Sequence, residues 1–394
     1  MFVAIDQEGL MINVAETKWS RQRLMKLREE RTFNCPTCKQ EVDLKIGAII
    51  AAHFAHKKYG ECPTVKGSHE SDYHMRGKHD LYHWFTSQKG VESVQLEPYL
   101  QETKQRPDLF IEYNQKKIVI EFQCSTIDTR ILRKRTQLYQ QEGISYLWIL
   151  GAKTLTRVAS QSYRLSPFQW NFILKKENSV PYLFSYCPNL RAMIVLYHLL
   201  PFSSRTVISE HKHYPLPSSS VHDVMKLQPY KKENVHKEWI RKVRSFRLKA
   251  PGFQSKQSSK LHQYLYQKFH LPLSYLPSYA FLPLDNNYIF ESPVYVWQGW
   301  ILLFIHAIPL NGSFRTHDVY HSISMRMNDG SITSRSLIKK VSFISAIDTY
   351  LMKLADLVVV VFEEKERLKK VKEIRWTNQM EELLKEDVKI IGSI

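Results

Sequence analysis

The chain has 394 residues, 43% of them hydrophobic and 12% aromatic, which excludes a disordered polypeptide and exceeds what one compact core holds. Lys and Arg number 56 against 38 Asp and Glu, a net charge of +18 that favours a polyanionic partner, with nucleic acid the commonest one. Five cysteines, an odd count, with no basic-then-apolar leader pattern, argue against disulfides and for a reduced, cytoplasmic setting.

In chain order, "FVAI" and "LMINVA" on either side of Gln7-Glu8-Gly9 predict a hairpin, and a charged helix is expected near Trp19 to Glu30. Cys35-Pro36-Thr37-Cys38 and the later His53-Phe54-Ala55-His56 follow. Zinc favours four-coordinate N/S sites, so Cys35, Cys38, His53 and His56 are candidate structural Zn²⁺ ligands. Cys62 is able to replace either histidine. The competing readings are a redox pair, which lacks a surrounding βαβ pattern, and two ordinary histidines. Residues 1–65 make one module on this reading.

Residues 66–155 alternate helical and strand patterns. Ser68 to about Gln88 reads as a helix and Val94 to Leu100 as a strand. Arg106–Tyr113 and Lys117–Gln123 read as a hairpin turning at Asn114. Ile127 to about Glu142 is amphipathic and ends at Gly143, and Ser145–Gly151 is an apolar strand. The order is helix, three strands, helix, strand.

Asp108 and Glu121 stand in strands that should be core. Two carboxylates about 4 Å apart repel by roughly 4 kcal/mol at an effective dielectric near 20. They would share a proton or bind a cation, and Mg²⁺ suits hard carboxylate oxygens. Removing Asp108 is then expected to relieve repulsion. The alternative is that Asp108 caps a strand and Glu121 faces water.

Residues 156–394 carry no sharp motif and are expected to be basic and mainly helical. His211–Ser220 reads as a loop or linker. Lys231–Lys249 reads as a helix with Trp239, Val243 and Phe246 at helical spacing, ringed by Lys232, Lys237, Arg241, Lys242, Arg244, Arg247 and Lys249. Its cations meet phosphates or form a solvated face, with binding to a membrane surface a third reading. Pro293–Pro309 is too short and interrupted to span a bilayer, and reads as a buried element with no integral membrane insertion.

Pro107-Asp108 followed by Glu121-Phe122-Gln123 in this element order resembles the PD-(D/E)xK nuclease superfamily, with Gln123 where a lysine is usual. Cys35-Pro-Thr-Cys38, "HFAH", Glu70-Ser-Asp-Tyr-His74 with Lys78 beyond, and "YLWIL" make residues 1–155 similar to the CoiA competence-protein family. The resemblance implies an α+β multidomain chain: a zinc-binding module, a central restriction-endonuclease-like αβββαβ domain and a C-terminal region. It implies Asp108 and Glu121 as Mg²⁺ or Mn²⁺ ligands, Glu70 as an acidic residue from the first helix, and Gln123 positioning water or the scissile phosphate. Lys78, on Glu70's helix with His74 between them, is either a substitute cation or a solvated lysine.

The implied function is promotion of recombination of imported DNA during transformation, near single-stranded DNA or recombination intermediates, the recombinase RecA and other competence proteins. Mg²⁺-dependent deoxyribonuclease activity is one reading. A DNA-binding scaffold that keeps the fold without hydrolysis is its rival, and a restriction-like defence nuclease is a third.

Overall fold

The computed structural model describes residues 1–47, 51–57, 62, 70–176, 179–226, 232–249, 255–338 and 341–394. Ser68, the expected start of the second helix, and Lys231 of the basic segment lie outside the described residues. The chain divides into two compact units. The first comprises Met1–Thr154, Leu183–Val195 and Lys212–Gln228, the second Leu155–Tyr182, Leu196–His211 and Pro229–Ile394.

The first unit opens with β1 (Val3–Asp6), β2 (Met11–Asn13), α1 (Arg21–Glu30), β3 (Phe33–Asn34), β4 (Glu41–Lys45) and β5 (His53–His56). The strands form one sheet in the order β2-β1-β3-β4-β5. The buried Asp6 carboxylate accepts from the Glu8 and Leu10 amides and from Arg31, so a side chain closes the first hairpin.

Next come α2 (Asp72–Thr86), β6 (Val91–Leu96), β7 (Leu109–Tyr113), β8 (Lys116–Gln123), α3 (Thr129–Gln141) and β9 (Ser145–Gly151). β6, β7 and β8 pair antiparallel, with Leu109 opposite Ile120. The β7–β8 turn puts both Asn114 (φ 47°) and Gln115 (φ 61°) in the left-handed region, as tight hairpin turns require. β9 returns parallel to β8 after the crossover helix α3, with Ile118 opposite Ser145. Helix α2 lies so close to this sheet that a Cβ at Gly77 would sit 2.0 Å from the Phe122 ring. That contact fixes the two neighbours of Gly77 that matter below, His74 and Lys78.

Residues 156–215 differ from the mainly helical expectation. They form β10 (Thr156–Ala159), β11 (Ser162–Arg164), β12 (Tyr182–Cys187), β13 (Ala192–Pro201) and β14 (Thr206–Pro215). The run "AMIVLYHLLP" is apolar except for His198, so it shows neither a helical nor a strand period. Residues 211–215, expected in a linker, end β14. In the first unit, Ser185 of β12 runs parallel beside Leu150 of β9. In the second, β11 pairs antiparallel with both β10 and β14.

After α4 (Val221–Met225) of the first unit, the second unit carries α5 (Lys232–Leu248), α6 (Lys256–Phe269), α7 (Val294–Ala307), β15 (Ser313–Arg315), α8 (Thr316–Asn328), α9 (Ile344–Asp356), β16 (Val360–Glu364), β17 (Arg367–Lys370) and α10 (Met380–Gly392). Helix α7 is buried along nearly its whole length. Its Gln298 amide is satisfied by the Leu282 backbone, accepting at 2.8 Å and donating at 3.0 Å. No helix among the described residues is long and apolar enough to cross a membrane.

Helix α5 buries Val235, Trp239 and Val243 completely, and the Trp239 indole donates to Phe281 O. Arg247, expected among the surrounding cations, is instead buried and makes a two-pronged ion pair with Asp387 of α10 (2.6 and 2.8 Å). It lies on the same helical stripe as Val243 and Trp239, and the ion pair is what lets a guanidinium stay there.

Candidate active site and metal centre

Helix α2 begins at the cap Ser71, whose hydroxyl accepts from the His74 amide at 3.2 Å. Glu70 precedes the cap, and one turn later His74 reaches back: its Nδ1 lies 3.5 Å from Glu70 Oε1. On the other side, His74 Nε2 lies 3.3 Å from Asp108 Oδ2. Glu70, His74 and Asp108 each offer an atom to a group within 4.8 Å. The imidazole also stacks on Phe122, with ring centres 5.7 Å apart. Burial works against a charge on His74, but Asp108 and Glu70 overcome it and push its pKa up to about 9.

Lys78 is one turn further along α2 and only 1% exposed, so it is not a solvated lysine. Its ammonium donates to Glu70 Oε1 at 2.6 Å and Glu97 Oε1 at 2.5 Å, and lies 3.8 Å from Asp108. Glu97 is also held by Arg106 and by the Phe2 amide at 2.8 Å. Burial would raise the Glu97 pKa, yet Lys78 and Arg106 draw it down to about 2. Glu70 and Asp108 are also held below the usual carboxylate range despite burial, Glu70 chiefly by Lys78 and Asp108 chiefly by His74. Neither Glu97 nor Arg106 was singled out from the sequence. A Glu inside a strand-to-loop transition was the available signal.

Extending the β7–β8 register by one residue sets Asp108 opposite Glu121, and Asp108 Oδ2 accepts from the Phe122 amide at 2.8 Å. The Glu121 carboxylate does not reach water. Its Oε1 accepts from Arg135 and from the Tyr139 hydroxyl (2.6 Å), both on α3. Burial pushes the Glu121 pKa up to about 7, with Arg135 opposing and Asp108 adding to the rise. The expected like-charge conflict is thus met by the protein's own cations. Asp108 sits among favourable partners, so the expected relief on removing it is replaced by an expected loss.

Gln123 shares a strand face with Glu121 and donates to Ser125 O at 2.7 Å. The donors beside Glu70 and Asp108 suit a divalent ion with hard or borderline character: two carboxylates and one imidazole.

The second cluster lies in the zinc-module region. Cys35 and Cys38 flank a tight turn in which Lys39 takes φ 61° and donates its amide to Cys35 O. Ligand atoms of Cys35, Cys38, His56 and Cys62 lie within 4.8 Å of one another, and Cys38 Sγ is 3.3 Å from His56 Nε2. Burial, then the neighbouring Cys35 and Cys62, push the Cys38 thiol up to about 11. Three sulfurs and one imidazole fit a tetrahedral zinc site.

His53 lies outside this group, its Nδ1 3.0 Å from Ala51 O. The reason is the strand: residues three apart on β5 face opposite sides of the sheet, so His53 and His56 diverge. Cys124 and Cys187 are free and half-buried.

The sheet carrying Glu121 and Gln123, Asp108 just before β7, and helix α2 with His74 and, ahead of its cap, Glu70 lie in a nuclease-like domain, as the family comparison shows. The family model for the "Competence protein CoiA, nuclease-like domain" matches residues 70–229. The models for the N-terminal and C-terminal domains of the same protein match 16–65 and 235–384. The chain is 34% identical over 333 residues to "Competence protein CoiA" of Bacillus subtilis (strain 168), covering 84% of this chain and 87% of that one. It belongs to the CoiA competence-protein family, and a role in competence follows.

Proposed function

We propose that this chain processes imported DNA in the cytoplasm during transformation, using a restriction-endonuclease-like (PD-(D/E)xK) domain that depends on a divalent ion. The observation that carries the reading is the convergence of Glu70, His74 and Asp108 beside the Glu121 face of β8. Those three side chains would hold Mg²⁺ or Mn²⁺, with His74 giving up its proton to the solvent on binding, and the ion would supply Lewis-acid polarisation of a phosphodiester and a more acidic bound water. Zn²⁺ would be held separately by Cys35, Cys38, His56 and Cys62 as a structural ion.

The residues of the chain do the rest. Glu121, poised near pKa 7, is able to accept and return a proton at neutral pH. Arg135 and Tyr139 orient it. Lys78 keeps Glu70 and Glu97 ionised, and its ammonium adds positive charge where a scissile phosphate would lie. Gln123 would offer an amide N–H to that phosphate once it leaves Ser125 O.

The test is cleavage of single-stranded, double-stranded and branched DNA with Mg²⁺ or Mn²⁺. Cutting by the wild type, abolished in Asp108→Ala and in Glu121→Ala, supports hydrolysis.

The scaffold reading rests on one feature of its own. Every acid of the site already has a protein cation or hydrogen-bond donor, so the site is assembled without a metal. Ion binding with no DNA form cut would favour it. In either case we place the chain on DNA entering recombination, close to the recombinase RecA.

A further inference from the structure

No Asp or Glu occurs between Glu238 and Asp285, although the stretch contains all of α6. Helix α6 buries Ser258, Leu261 and Leu265. The opposite face carries Lys256, Ser259, Gln263, Tyr266, Gln267 and His270, all exposed. Tyr266 is 59% exposed and sits in a ladder of rings, 6.2 Å from His262 and 6.1 Å from His270, centre to centre. Lys256 makes no ion pair among the described residues, and Lys260 donates to the Asp329 backbone carbonyl, which leaves its charge uncancelled by that contact. The Asp329 carboxylate is paired with Arg326 and also feels the Lys260 charge, so Lys256 is the cation of this face that meets no acid among the described residues.

A large ring held in water gains nothing for folding. Placed between aromatic neighbours, with lysines at the helix start, amide side chains alongside and no acid on the helix, it has the parts of a stacking platform. Phosphates are drawn by the charge, and an unpaired base covers the ring. A duplex hides its base faces and would use only the charge. We propose that the exposed face of α6 binds single-stranded DNA, with Tyr266 stacking on a base and Lys256 meeting the backbone. This goes beyond the nuclease-like reading and does not rest on it.

The test is fluorescence anisotropy of labelled oligo-dT with the full chain, across salt concentrations and without added divalent ion. Tyr266→Ala is expected to weaken binding about five- to hundredfold with an unchanged salt slope, the worth of one stacked base. Lys256→Gln is expected to reduce the slope by about 0.7, one phosphate contact on a single strand. An abasic strand of equal length should bind wild type and Tyr266→Ala alike.

Gln263→Glu sets an anion beside Tyr266 without altering a packed atom. It should weaken oligo-dT binding with an unchanged melting temperature, which keeps the test sound if Tyr266→Ala proves less stable. Parental affinity for oligo-dT in both Tyr266→Ala and Gln263→Glu overturns the proposal. So does an equal loss on the abasic strand, or Tyr266-dependent binding to anionic phosphatidylglycerol vesicles with oligo-dT affinity untouched. Asp108→Ala should bind oligo-dT like the parent, so failure of the nuclease reading leaves this result standing.

Discussion

The first unit holds two clusters of ligating side chains, and they are built on opposite principles. Cys35, Cys38, His56 and Cys62 bring three thiols together with one imidazole, and burial holds the Cys38 thiol protonated up to about pH 11. Around Glu70, Glu97, Asp108 and Glu121 each carboxylate already faces Lys78, His74, Arg106 or Arg135. A thiol cluster of this kind gains little until a cation replaces its protons. The carboxylate cluster is neutralised from within. The first should therefore need its ion to fold, and the second should need an ion only to act.

The largest effect tests that contrast at the sulfurs. Structural zinc in finger-like peptides contributes about 10–16 kcal/mol, comparable to or above the stability of a whole domain. Chelation, Cys35→Ser with Cys38→Ser, or Cys62→Ser should each remove zinc and the ordered β3–β5 region, read by metal analysis and hydrogen exchange. Purified protein without zinc, or unchanged exchange in the double variant, would break the comparison.

Next is the buried Glu97. Removing one partner of a buried ion pair strands the others, here Lys78 and Arg106, and Glu97→Ala should cost about 3–5 kcal/mol. The pH dependence has a definite sign. The Glu97 carboxyl is about 2 in the folded chain against an ordinary 4.5, so its stabilisation is present above pH 4.5 and is lost as pH falls toward 2. Glu97→Gln should flatten the acid limb of the stability curve in that window. An identical acid limb would mean that the cluster is not the source of acid lability.

Asp108→Ala should have a smaller effect, about 1–3 kcal/mol, because it leaves the Phe122 amide and His74 without their acceptor. A raised melting temperature would restore the repulsion expected from two bare carboxylates. Mg²⁺ or Mn²⁺ at about 100 times Kd should add roughly 2.7 kcal/mol to the wild type and nothing to Asp108→Ala. Stabilisation of the variant by the same amount would place the ion elsewhere.

The smallest effect separates the two histidines. His53→Ala loses one hydrogen bond to Ala51 O and should cost about 0.5–1.5 kcal/mol with zinc content unchanged. Zinc loss in this variant, and its retention in Cys62→Ser, would reverse their assignment.

Local chemistry was legible in the sequence wherever it depended on neighbours along the chain. The turn at Asn114, the stop at Gly143, the Cys35-x-x-Cys38 turn and the two apolar runs of β7 and β8 are properties of a few consecutive residues. The period-2 geometry of a strand even holds the reason why His53 and His56 part, once the segment is known to be β5. What surrounds a side chain was not legible. Lys78 reads as either a substitute cation or a solvated lysine, and Arg247 as one of the cations that meet phosphates or water, because nothing local announces Glu97, nineteen residues from Lys78, or Asp387, 140 residues from Arg247. The apolar run of β13, broken only by His198, carried no period to tell strand from helix. Sequence alone therefore determined which ligand types this protein owns and where its short turns fall. Only the tertiary structure decided which of them meet, because burial and long-range pairing set the charge state of each group, and those belong to the packed chain and not to any stretch of it.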